Sequence, residues 1–164
     1  MRGLHMQTSF RELVNHAITV AFYGLTMEKI AEQVGNDVNY LTGTAKLSLH
    51  TNTYAPNRDT DDFFNDATNE VAAGNGYNAG GETLGGKTIT YDSASDQVRW
   101  DANDVTWTFT AGKTWRNGVM YIDTAGASST DPLYAVLVWD SDQTVSTSYT
   151  LQWDAAGILF IDTT

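Results

Sequence analysis

"GETLGGKTITYDSASDQVRW", residues 81–100, is the stretch whose reading decides the fold. Gly81, Gly86, Lys87 and Thr88 stand at the spacing of a phosphate-binding loop. Such a loop needs a buried strand before it and a helix that opens at the Lys-Thr end, so that free N–H groups and the positive end of the helix dipole face the phosphates. Here the preceding "AAGNGYNAG" is too rich in glycine for a buried strand, and the following "TITYDSASDQVRW" alternates β-branched and polar residues, which predicts a strand. Gly80, Gly81, Gly85 and Gly86 then form a flexible approach to a strand that begins at Lys87, and the lysine is expected to face solvent or a neighbouring subunit. "YAVLVWD", 134–140, imitates the apolar strand whose closing Asp holds magnesium in nucleotide hydrolases. Without the helix nothing presents backbone to phosphate, so hydrolysis through Lys87 and Thr88 is the least favoured reading.

Working outward, the texture from residue 45 onward is Thr, Val, Tyr, Trp and Ile in short runs between Gly, Asp and Asn clusters. Strands are expected near 45–51, 87–92, 97–101, 104–110, 118–124, 133–139, 145–153 and 158–162. Short strands at this spacing predict a mainly β protein, an antiparallel β-sandwich or a jelly-roll-like domain, rather than alternating βαβ units. "DTDDFFNDA", 59–67, is expected to make one helical turn. Toward the N-terminus, "SFRELVNHAITVAFY", 9–23, places Phe10, Leu13, Val14, Ala17, Ile18, Ala21 and Phe22 on one helical face, with Ser9 and Glu12 as a capping box. Gly24 would close that helix, and "TMEKIAEQV" predicts a second one from Thr26 to Gly35. The chain therefore divides into a helical docking segment, 1–44, and a β-sandwich domain, 45–164. Phe10, Leu13, Val14, Ile18 and Phe22 are its candidate docking residues.

Charge narrows the partners. The chain carries 9 basic and 20 acidic residues, a net charge of -11, which repels phosphate backbones and anionic membranes. Neither nucleic acid nor membrane is an expected partner. Residues 1–44 hold 3 basic and 4 acidic side chains and 45–164 hold 6 and 16, so the acidity lies in the β part, mostly as Asp in turns. "GLTMEKIAEQVGNDVNYL", 24–41, resembles the helix-turn-helix of tetracycline-repressor-like regulators, but its recognition stretch carries Asp37 and no Lys or Arg before Lys46. A small cap that packs Ile30, Ala31 and Val34 on the β domain is the better reading. There is no cysteine, hence no thiol chemistry and no disulfide.

Candidate chemistry is thin. His5, His16 and His50 have no Ser or carboxylate at a recognised spacing, so no catalytic residue is assigned. "NRDTDD" and "WDANDVTW" gather carboxylates but lack the pattern of a calcium loop, and turn chemistry explains them; a structural ion at Asp59, Asp61 or Asp62 is the alternative. No cofactor or metal ligand is assigned. Trp100, Trp107, Trp139 and Trp153 fall in expected strands and belong to a core, whereas Trp115, in the expected turn "TAGKTWRNG", is the aromatic expected at the surface and the remaining interaction candidate.

The phrases "KLSLHTNTYAPNRDTDDFFNDATNEV", "GGKTITYDS", "WDANDVTW", "YIDTAGASSTDPLYAVLVW" and "LQWDAAGILFI" resemble a group of small β-rich virion structural proteins of tailed bacteriophages. "LVNHAITVAFYG" followed by "LSLHT" is similar to a related phage group in which a short helix precedes the first strand, and 25–44 is an insertion relative to it. The resemblance implies a non-enzymatic component of a phage particle: a decoration, head-fibre, connector or tail protein. It implies other virion proteins and own copies as partners, a homo-oligomer, and location in the virion after synthesis in the host cytoplasm. A receptor- or glycan-binding module, using exposed aromatics and loops such as "DTAGASSTDP", is the alternative.

Overall fold

The computed structural model describes residues 18–24 and 39–162. Most of the first expected helix and all of the second, with Phe10, Leu13, Val14, Ile30, Ala31 and Val34, lie outside the described residues. The described chain is mainly β. Its strands are β1 (Ile18–Phe22), β2 (Thr44–His50), β3 (Glu82–Thr83), β4 (Thr88–Asp92), β5 (Gln97–Asp101), β6 (Val105–Thr108), β7 (Lys113–Asp123), β8 (Leu133–Val145), β9 (Ser148–Leu151) and β10 (Leu159–Asp162). Every pairing is antiparallel, and the sheets run β1-β8-β7-β2-β3, β10-β5-β4 and β6-β9.

β1 corrects the helix expected over 9–23 at its described end, Ile18–Phe22, which is a strand. "ITVAF" satisfies a helical spacing through Ile18, Ala21 and Phe22, but Ile18, Val20 and Phe22 also alternate, and short apolar runs do not distinguish the two periods. Pairing decides it: Ile18 to Phe22 align with Trp139 to Ala135 of β8, and Val20 and Phe22 are buried. Five residues of the expected helical segment thus belong to the main sheet.

Both faces of that sheet are covered. On one face Phe22, Leu47, Leu49, Met120, Ile122, Leu137 and Trp139 share a cluster with Trp100, Trp107, Leu151 and Leu159 of the two smaller sheets and with Trp153, just after β9. On the other, Val119, Tyr121, Leu133 and Val136 pack with Tyr23, Tyr54, Ala67 and Phe64, three of these from the connection between β2 and β3. A strand buried on both sides reads as a continuous apolar run, as "LYAVLVW" does.

Of the turn expected at "TAGKTWRNG", 110–118, only Thr110–Gly112 lie outside the strands, and Lys113–Gly118 form the first half of β7. Asn117 and Gly118 suggest turn punctuation, but Gly118 serves close packing: a Cβ there would sit 3.2 Å from Leu47 Cδ1 and from the Trp139 ring. Between Trp115↔Gln143 and Asn117↔Val138 the register slips, so that Arg116 alone spans the interval filled on β8 by Trp139 to Asp142. This irregularity turns Trp115 onto the face opposite Val119 and Tyr121. The helical turn expected in 59–67 is present as a 3-10 turn, Phe64–Asp66.

Candidate functional site

The glycine-rich approach at 80–86 is folded against β2. Gly80, Gly81 and Gly86 have φ of 83°, 73° and 60°, and a Cβ on Gly81 would lie 2.0 Å from the Leu47 carbonyl oxygen. Gly80 N–H donates to Glu70 Oε1 at 2.6 Å, and Tyr121 Oη donates to the Gly80 carbonyl at 2.9 Å. Within the motif itself, the Gly81 and Leu84 N–H groups donate to the Asn78 and Ala45 carbonyls at 3.0 and 2.9 Å, so those amides are already engaged. Downstream lies β4, not a helix. Lys87 does not face open solvent as expected: its Nζ donates to the Gly43 carbonyl and lies 5.8 Å from the centre of the Tyr40 ring. The cause is a nearby aromatic shelf, Tyr40 stacked on Tyr134 at 5.3 Å, with the Tyr40 hydroxyl donating to the Asp101 carbonyl at 2.9 Å. Partial burial there lowers the Lys87 pKa.

Beneath the 51–70 connection lies a polar network the sequence did not announce. Ser48 and His50, two apart on β2, project to the same face. His50 Nδ1 is 2.8 Å from the Thr68 carbonyl oxygen, which can only accept, so that nitrogen carries the hydrogen. In the neutral ring Nε2 then accepts from Ser48 Oγ at 2.9 Å. A serine on an imidazole is the geometry of a nucleophile and its base. Both side chains are 0% exposed, however, and the third group is a backbone carbonyl rather than a carboxylate. No substrate reaches them, and their role is to tie the connection to the sheet. Burial holds the His50 pKa down to about 4 from 6.5, partly offset by the Thr68 carbonyl.

Two further chains complete the layer. Tyr23 donates to Tyr54 at 3.0 Å and Tyr54 to Asp61 Oδ2 at 2.9 Å, which also accepts from Asn57 N–H. Burial, foremost, pushes both phenol pKa values up. Leu49 N–H donates to Tyr77 Oη at 2.9 Å, which donates to Glu70 Oε1 at 2.8 Å. Asn117 Nδ2 caps the Tyr54 carbonyl at 2.9 Å.

The carboxylates expected to shape turns do so. Asp66 Oδ2 accepts from Asp62 N–H and Phe63 N–H, and Asp131 Oδ1 accepts from Thr124 N–H and Oγ1 within "DTAGASSTDP". Among the described residues no group of three or more His, Asp and Glu is gathered as a metal site. Of the interaction candidates, Ile18 is half-buried against the main cluster, and Phe22 is buried edge-on to Trp100 and Tyr134 at 5.5 Å. Trp115, expected at the surface, is 0% exposed among Phe109, Trp139 and Tyr149, because the β7–β8 slip turns it inward.

The outward-facing feature is the hairpin β4–β5. β4 is the outermost strand of its sheet among the described residues, and its first four side chains are all exposed. Ile89 is 36% and Tyr91 58% exposed, on the same side of the strand. The turn beyond is braced: Arg99 Nη2 lies 2.7 Å from Asp92 Oδ2, Ala94 N–H donates to Asp92 Oδ1, and Tyr91 Oη donates to Asp96 Oδ1 at 2.7 Å. The Ala94 amide foremost, then Ser95 and the Arg99 charge, lower the Asp92 pKa. Elsewhere a groove of about 240 Å3 is lined by Thr19, Ala21, Pro56, Arg58, Val136 and Val138. No protein-family model, no curated protein and no solved structure matches the chain.

Proposed function

We propose that this chain is a non-enzymatic structural component of a bacteriophage particle, a decoration, head-fibre, connector or tail protein that assembles through protein–protein contacts. The observation that carries the assembly role is β4, an exposed strand at a sheet edge with two large apolar side chains turned outward. Edges of this kind are templates for pairing with another chain. The particle itself is inferred from the phage-like phrases of the sequence. Two small sheets stacked on one face of the five-stranded sheet support reading the fold as sandwich-like. The buried Ser48, His50 and Tyr54 and the half-buried Glu70 are spent on holding loops, as suits a scaffold. A glycan-binding role anchored on Trp115 loses its anchor, since that ring lies in the core.

Mass spectrometry of gradient-purified particles tests the reading. The chain is expected in fixed stoichiometry with the other particle proteins, and particles that lack its peptides would refute it.

A further inference from the structure

We propose that the β4 edge is a homotypic interface, at which two copies of this chain pair antiparallel about a twofold axis through Thr90. The proposal deepens the assembly reading by naming the surface and the partner, and it does not require that the assembly be a virion.

Self-complementarity is the first reason. A twofold contact must fit itself, residue by residue. In "TITYD", Thr88–Asp92, a twofold at Thr90 sets Ile89 opposite Tyr91 of the second copy, Thr90 opposite its own twin, and Thr88 opposite Asp92. Each exposed apolar side chain meets the other kind, an aromatic and β-branched pair of the sort that stabilises sheets. A heterologous strand would be under no such constraint, and this one satisfies it on both faces.

Charge is the second. Two copies of net charge -11 repel one another at long range, so an interface between them must be locally neutral. β4 has one charged residue, Asp92, already paired with Arg99 at 2.7 Å, and the twofold sets it against Thr88 rather than against its own copy.

The third is that, among the described residues, several of the usual guards of an edge are missing from β4. Natural edges carry lysine, proline or a bulge. β4 has neither residue, and it runs in unbroken register from Thr88↔Asp101 to Asp92↔Gln97. The adjoining cation, Lys87, is folded back onto the Gly43 carbonyl and away from the edge. Pairing would join the three-stranded sheets of the two copies in the order β10-β5-β4-β4-β5-β10.

A five-residue strand buries far less than the roughly 1,600 Å2 of a stable interface, so the isolated dimer is expected to be weak and concentration-dependent. In a many-copy assembly the same contact becomes effectively intramolecular.

The absence of cysteine makes the test clean. In Thr90→Cys the twofold brings the two introduced Cα atoms to about 4.5–5.5 Å, within disulfide range. Mild oxidation of the purified full chain should give a covalent dimer. Thr88→Cys, whose twin lies about 13 Å away along the strand, should link at least tenfold more slowly. Sedimentation of the unmodified chain should show a reversible dimer that Ile89→Lys abolishes while leaving the unfolding temperature unchanged. Equal linking of both cysteine variants, or none, would overturn the proposal, as would a dimer indifferent to Ile89→Lys. If the chain cross-links at Thr90 but purified particles lack it, the virion reading falls and the interface stands. The converse result removes the interface alone.

Discussion

Acid should loosen this protein in a window set by one histidine. His50 is 0% exposed, with its pKa held to about 4 against 6.5 for an ordinary imidazole. Between those values the unfolded chain binds a proton that the folded one refuses, so stability is full above the unfolded pKa and falls as pH drops through the window. The gap corresponds to a loss of about 3 kcal/mol between pH 7 and pH 4. Carboxylates with depressed pKa, Asp92 and Asp123, act lower, because their contribution is lost only as pH falls below the ordinary value of 3.8. The two effects are therefore separable. The assay is urea unfolding at half-unit pH steps, on the native chain and on His50→Gln, whose amide can still donate to the Thr68 carbonyl. The variant should be less stable at pH 7 but should lose about 3 kcal/mol less on acidification to pH 4. Parallel pH profiles for the two proteins, or an NMR titration placing His50 near 6.5, would refute the reasoning.

Two further perturbations test the packing. Gly81→Ala forces a side chain into the Leu47 carbonyl at a φ of 73° and should cost about 2 kcal/mol or more in urea unfolding, whereas Gly112→Ala, with nothing within 4 Å of its Cβ position, should be near neutral. Trp115→Ala should cost about 3–5 kcal/mol as a core truncation, and a loss under about 1 kcal/mol would return that ring to the surface.

The strands were largely legible because their signals are local. β4 and β5, at 88–92 and 97–101, fall where alternation and turn residues put them. What was misread depended on distant partners. Whether "ITVAF" is helix or strand is settled by β8, more than a hundred residues away. Trp115 is turned inward by a slip between β7 and β8 that leaves no mark in "TAGKTWRNG". The Ser48–His50 pair carries a local sign, two polar residues two apart on one face of a strand. Their burial comes from the 51–70 connection folding over them, and that was not legible.

The candidate surface shows the same limit most clearly. "TITYD" and "VTWT" have the same kind of alternation, and both are strands. In β6 the apolar side, Val105 and Trp107, is 5% and 1% exposed, while in β4 the corresponding Ile89 and Tyr91 are 36% and 58% exposed. The difference lies in what stands opposite. β6 lays its apolar face into the main cluster, with Trp107 beside Tyr149 at 6.1 Å, whereas Ile89 and Tyr91 of β4 belong to neither buried cluster of the described residues. Alternation says that a strand has an apolar side, and topology alone says whether the protein covers that side itself. On β4 the described residues leave Ile89 36% and Tyr91 58% exposed, and this apolar side lies on a strand that ends its sheet among the described residues.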